Sequence, residues 1–130
     1  MARRNFDEGY LQIPGEKESA SIQFTGAIGN INVNCDYSIY NNTASLYIPS
    51  TNALAVSNGT INVQLPANLI PSKTIDTICS VIQGTSETIG KITISNIGVL
   101  NIYATITGTP FSQGSNCGTF SGQTITYNLN

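Results

Sequence analysis

The residues able to do acid, base or nucleophilic chemistry are few in this sequence and widely spaced. The chain contains no histidine, so the commonest general base of enzymes is absent. The carboxylates after Ser19 are isolated, and Asp76 and Glu87 are the two that could be brought together as in a glycosidase. A nucleophilic hydroxyl would have to use Lys73 or Lys91 as its base. We therefore expect no catalytic residues and no enzymatic activity, with a hydrolase built on Asp76 and Glu87 as the alternative.

The sequence also contains few residues that could bind a metal ion or a cofactor. Cys35, Cys79 and Cys117 show no Cys-x-x-Cys spacing, and without histidine a zinc site would need three thiolates and a carboxylate. Neither a calcium-binding loop of alternating aspartates nor a phosphate-cradling glycine loop occurs. We expect no metal and no cofactor. The cysteines are interpreted as buried free thiols of a protein made in a reducing compartment, or as one disulfide and one free thiol.

The charge content limits the possible partners. The net charge is −2 and charged residues make up 9% of the chain, against about 25% in typical soluble domains. The five cations form no basic stripe, so a nucleic-acid partner is not expected. No apolar run approaches the roughly 20 residues that span a bilayer, and the first residues lack the apolar stretch of a signal peptide. We expect neither membrane insertion nor secretion.

Charge also divides the chain into two parts. Seven charged residues lie within the first eighteen positions, whereas only five follow. We predict an extended N-terminal arm over residues 1–18 and a single domain over residues 19–130. An ordered arm of this composition needs a surface to lie on, and the three alternatives are its own domain, a neighbouring copy or a larger assembly. Its predicted docking residues are Arg3, Arg4, Phe6, Tyr10, Leu11 and Ile13.

The body of the chain has the period-2 alternation of β-strands. Apolar residues alternate with polar ones from Ile31 to Ile39, as in an antiparallel strand with one buried face. The same pattern recurs about nine times between turn signals such as Asn41-Asn42 and Asn58-Gly59. The predicted fold is all-β, an antiparallel β-sandwich of jelly-roll type that carries the extended arm.

The longest segment with loop character runs from Thr107 to Gly118. Loops on a rigid sandwich often carry recognition, which makes this loop a candidate ligand site. The alternative interpretation is that the loop's aromatic side chain closes the end of the sandwich. The candidate ligand residues are Phe111, Ser112, Gln113, Ser115 and Asn116.

The order of features in the second half of the chain is more specific than its composition. A strand ending in Leu65-Pro66 is followed by Pro71-Ser72, by Gly98 before an Ile102-Tyr103 strand, by Pro110-Phe-Ser-Gln-Gly114, and by a terminal Ile125-Thr-Tyr127 strand. In this order the chain resembles the C-terminal jelly-roll heads of fibre, spike and collar proteins of large DNA viruses and of phage tail fibres. The resemblance covers a little over half of the chain.

That resemblance implies a virion surface module, commonly trimeric, whose N-terminal segment attaches to the particle. The sequence has no shaft or coiled coil, which favours a position close to the capsid. We therefore expect a minor capsid, decoration or short spike protein at the virion surface, a homotrimer that binds capsid proteins through its arm. The alternative is a receptor- or glycan-binding fibre head, a lectin-like module whose Thr107–Gly118 loop contacts host-surface glycans.

Overall fold

The computed structural model describes residues 16–25, 30–51, 60–112 and 117–130. Within these residues the chain forms nine β-strands, a 3-10 helix at Ala67–Leu69, and no α-helix. The prediction of an all-β protein is confirmed. The strands are β1 (Glu18–Thr25), β2 (Asn30–Tyr40), β3 (Thr43–Ile48), β4 (Ile61–Gln64), β5 (Ile75–Gln83), β6 (Ser86–Ile94), β7 (Val99–Tyr103), β8 (Gly118–Thr119) and β9 (Gln123–Asn128).

All nine described strands belong to one antiparallel sheet in the order β8-β5-β6-β7-β4-β1-β2-β3-β9, curled as a half-barrel. The order contains two Greek keys, because β4 returns to lie beside β1 of the β1-β2-β3 meander and β8 returns beside β5 of the β5-β6-β7 meander. The antiparallel part of the prediction is confirmed. The two-sheet jelly-roll sandwich stays a prediction.

The core follows from the alternation along each strand. Side chains at every second position point into the curl, so that Leu46 and Ile48 of β3 are buried while Tyr47 between them is exposed. The strands contribute mainly aliphatic residues. The largest fully buried side chains are Phe24, Leu46, Ile48, Ile61, Leu69, Ile92, Ile94, Leu100, Ile102 and Phe111.

The described hairpin turns use the residues that positive φ requires. Asn41 and Asn42, which connect β2 to β3, have φ values of 53° and 62°, as a type I′ turn needs at both central positions. Gly84 between β5 and β6 has a φ of 62°. The turn predicted at Asn41-Asn42 is thereby confirmed, whereas the hairpin predicted at Asn58-Gly59 lies outside the described residues.

One strand is shorter than the sequence pattern predicted. The alternation continues to Ile106, but β7 ends at Tyr103 and Ile106 is exposed. The chain reverses there because Gly108 has a φ of 89° and the Thr105 hydroxyl accepts a hydrogen bond from the Thr109 N–H at 3.1 Å. Ile106 continues the alternation but does not face inward, because this local turn overrides the period.

The end of the sheet at β8 is joined to the segment after β3 by a buried hydroxyl network. The Thr51 N–H donates to both Thr119 O and Thr119 Oγ1 at 3.0 Å, and the Thr119 N–H donates to Thr51 Oγ1 at 3.0 Å. Thr119 Oγ1 also donates to Pro49 O at 2.9 Å. Both threonines are fully buried, so these hydrogen bonds satisfy polar groups that water cannot reach.

Candidate functional site

The structure describes two of the five predicted ligand-loop residues. Phe111 has no exposed surface, which favours the interpretation that its ring closes the end of the core. Ser112 is exposed, and its N–H donates to Gln83 Oε1 at 2.8 Å. Gln113, Ser115 and Asn116 lie outside the described residues. The ring is thus unavailable to a ligand, and recognition by the other loop residues stays a prediction.

The predicted docking arm falls almost entirely outside the described residues. Arg3, Arg4, Phe6, Tyr10, Leu11 and Ile13 all precede Glu16, where the description begins. Strand β1 starts at Glu18, one residue before the predicted start of the domain. Lys17 forms an ion pair with Asp36 of β2, with Nζ 3.6 Å from Oδ2. The Lys17 side chain, which belongs to the described end of the predicted arm, therefore contacts the outer face of the sheet.

The two carboxylates of the hydrolase alternative are far apart. Asp76 pairs with Thr93 and Glu87 pairs with Ile82 along the β5-β6 hairpin. Six residues of extended strand separate the two pairs, a distance of roughly 20 Å. Glycosidase carboxylates lie about 5 to 9.5 Å apart, so the register contradicts the proposed Asp76 and Glu87 pair.

The cysteines are placed as the sequence predicted. Cys35 and Cys79 are buried free thiols, and Cys117 is buried as well. Burial raises the pKa of Cys79 to about 11, and burial together with the Asp36 carboxylate raises that of Cys35 to about 11. Both thiols therefore stay protonated and weakly nucleophilic at neutral pH. In the described part of the chain no group of three or more His, Cys, Asp or Glu residues could hold a metal ion.

The most distinctive described surface is an apolar patch on the outer face of β5 and β6, beside β8. It consists of Ile78, Ile89 and Phe120, which are 62%, 55% and 38% exposed; we call it the outer isoleucine patch. In the hairpin register Ile78 pairs with Lys91, and Ile89 pairs with Ser80, which makes the two isoleucines diagonal neighbours on one face. The Phe120 N–H donates to Ser80 O at 2.9 Å, and this bond holds Phe120 beside them.

Charged and polar groups border this patch. Lys91 Nζ lies 4.0 Å from Asp76 Oδ2 and 5.8 Å from the centre of the Tyr103 ring. On the opposite side Ser80 Oγ donates to Glu87 Oε2 at 3.2 Å. An apolar centre with a polar rim is the arrangement of protein–protein interfaces.

No family model matches this chain, and no curated protein is similar to it in sequence. Among the described residues, no helix is long and apolar enough to cross a membrane.

Sequence reasoning missed the outer isoleucine patch, although a signal was present. In β5 apolar residues occur side by side, as Ile78-Cys79 and Val81-Ile82. Cys79 and Val81 are buried, so their neighbours must face outward. Adjacent apolar residues in a strand indicate two apolar faces rather than one. Applying this rule to β5 would have located the patch.

Proposed function

We propose that this protein is a non-enzymatic structural component of a virion surface, a minor capsid, decoration or short spike protein that assembles as a homotrimer. Residues 1–18 would attach the trimer to capsid proteins, and the β domain would form a jelly-roll head. Two successive Greek keys support the jelly-roll assignment, because that fold is built from two of them. The low charge of the chain supports assembly through apolar and amide-rich surfaces.

The outer isoleucine patch is the observation on which the proposal mainly depends. Exposed β-branched and aromatic side chains lie together on the β5–β6 hairpin and after β8, and Lys91, which pairs with Ile78, lies beside them. Contiguous apolar patches on a protein surface often mark interaction sites. A cyclic trimer would cover the patch of each copy with a different surface of the next copy.

Replacing both isoleucines by serine, in the double variant Ile78→Ser/Ile89→Ser, is expected to dissociate the trimer. Two large apolar side chains would be lost from the buried centre of the interface, where most of the binding free energy resides. The mass measured by size-exclusion chromatography with light scattering should fall about threefold.

The matched control is the double variant Ile97→Ser/Ile106→Ser, which changes two isoleucines of similar exposure that lie in turns and are not part of the patch. This variant should remain a trimer. A wild-type protein that is monomeric at the same concentration, or a control that dissociates equally, would contradict the proposal.

Removing residues 1–15 tests the attachment part of the proposal. The truncation leaves β1 and the Lys17–Asp36 ion pair intact, so the domain should fold and form trimers as before. Incorporation into particles, measured by quantitative immunoblotting of purified virions, should fall by about tenfold or more because the arm supplies the contact with the capsid. Undiminished incorporation of the truncated chain would exclude the arm as the anchor.

A further inference from the structure

A second surface, on the outer face of β2, β3 and β9, forms a shallow cleft of about 190 Å³. This volume is smaller than the roughly 300 to 1,000 Å³ of sites for drug-sized ligands, and it suits a single small ring. We call it the Tyr47 cleft. The lining residues that matter for its chemistry are Lys17, Asp36, Ser38, Ser45, Tyr47 and Thr124.

The strand register brings these side chains together. Asp36 pairs with Tyr47, and Tyr47 pairs with Thr124, so the three residues form one row across β2, β3 and β9. Ser38 and Ser45 pair in the next row. Residues two apart in a strand share a face, so all five side chains project from the outer surface of the sheet.

The carboxylate of Asp36 is held in place by two neighbours. Its Oδ1 accepts a hydrogen bond from Ser19 Oγ at 2.6 Å, and its Oδ2 lies 3.6 Å from Lys17 Nζ. The side chain is still 37% exposed. Because a carboxylate oxygen can accept more than one hydrogen bond, Asp36 can receive hydroxyl groups from a ligand without losing these partners.

The position of the Tyr47 ring depends on a glycine. A Cβ atom on Gly122 would overlap the Tyr47 hydroxyl and the ring carbon that carries it. Gly122 therefore lets the ring lie directly against the turn before β9. With 40% of its surface exposed, Tyr47 presents an apolar surface next to the Asp36 carboxylate and the serine hydroxyls.

We propose that the Tyr47 cleft binds a neutral monosaccharide unit. A sugar ring has an apolar C–H surface that can pack on an aromatic ring, and its hydroxyls can donate charge-assisted hydrogen bonds to a carboxylate. The one ammonium and the one carboxylate of the lining cancel, so the cleft as a whole favours a neutral sugar over a charged one. This assignment does not rest on the proposed virion role, and none of the described residues of the Thr107–Gly118 loop lines the cleft.

Titration of the full chain with methyl glycosides of glucose, galactose, mannose and N-acetylglucosamine, followed by amide NMR shifts, tests the assignment. At least one of these sugars should show saturable binding, with shifts at Asp36, Tyr47 and Thr124. The variants Tyr47→Ala and Asp36→Asn should weaken that binding by about tenfold or more. Tyr47→Phe keeps the aromatic ring and should retain the binding.

Tyr40→Ala is the matched control, because Tyr40 is a more exposed tyrosine of β2 that does not line the cleft. This variant should bind like the wild type. The assignment is overturned if none of the four glycosides binds, if Tyr47→Ala binds unchanged, or if a sialic acid glycoside binds more tightly than all of them. If Tyr47→Ala does not fold, Asp36→Asn takes its place, and unchanged binding by Asp36→Asn overturns the assignment. A glycan array then separates recognition of a glycan terminus from recognition of free sugar, and either result supports the cleft as a neutral-sugar site.

Discussion

Replacing Gly118 by alanine is expected to lower the free energy of unfolding by about 3 to 5 kcal/mol, enough to leave much of the protein unfolded. Gly118 is buried in β8 with a φ of 146°, and an added Cβ would overlap the backbone carbonyl of Thr51. Relief of the overlap would separate Thr51 from Thr119 and break their buried hydrogen bonds. Equilibrium unfolding in urea measures the loss.

Gly84→Ala is the control for the strain that alanine experiences at a positive φ. Gly84 also has a positive φ, of 62°, but apart from Gly84 itself and its two chain neighbours no residue has an atom within 4 Å of the position where its Cβ would be. This substitution should therefore cost only the conformational strain of about 1 to 2 kcal/mol. If Gly118→Ala cost no more than Gly84→Ala, close contact with Thr51 would not be what requires glycine.

Replacing Phe111 by alanine should lower the free energy of unfolding by about 3 to 5 kcal/mol. Phe111 is among the largest fully buried side chains of the protein, and its removal leaves a cavity that the surrounding strands cannot fill. Urea unfolding should be measured at one protein concentration, because the stability of an assembling protein depends on concentration.

Ser112→Ala is the matched control within the same loop. It removes one exposed hydrogen bond, from Ser112 Oγ to Gln83 Oε1 at 3.3 Å, and should cost less than about 1 kcal/mol. A small loss for Phe111→Ala would argue against the interpretation that this ring closes the core, and would return the loop to consideration as a ligand site.

The fold class could be predicted from the sequence because its signals are local. The alternation from Ile31 to Ile39 predicted β2, which the structure places at Asn30–Tyr40. The two asparagines after it predicted the turn to β3. Buried and exposed positions follow directly from such a pattern, since neighbouring side chains of a strand point to opposite faces.

The candidate sites could not be predicted in the same way, because they depend on which strands are neighbours. The Tyr47 cleft joins Asp36 and Thr124, which are 88 positions apart in the sequence (124 − 36), through pairings of β3 with both β2 and β9. Alternation assigned Asp36 correctly to the polar face of its strand. It contained no information on the partner strands or on Gly122, whose missing Cβ leaves room for the Tyr47 ring.

Composition and residue period were enough to predict an antiparallel β protein with little charge, no histidine and buried thiols, because these signals act within one strand or turn. The fold was needed to show that Asp76 and Glu87 are roughly 20 Å apart, that Phe111 is buried, and that Ile78 and Ile89 form one exposed patch. The carboxylate separation and the burial of Phe111 are consequences of strand register and of the curl of the sheet, which have no local signature. The adjacent apolar residues of β5 gave a local signal for the patch, but the register decides which side chains form it.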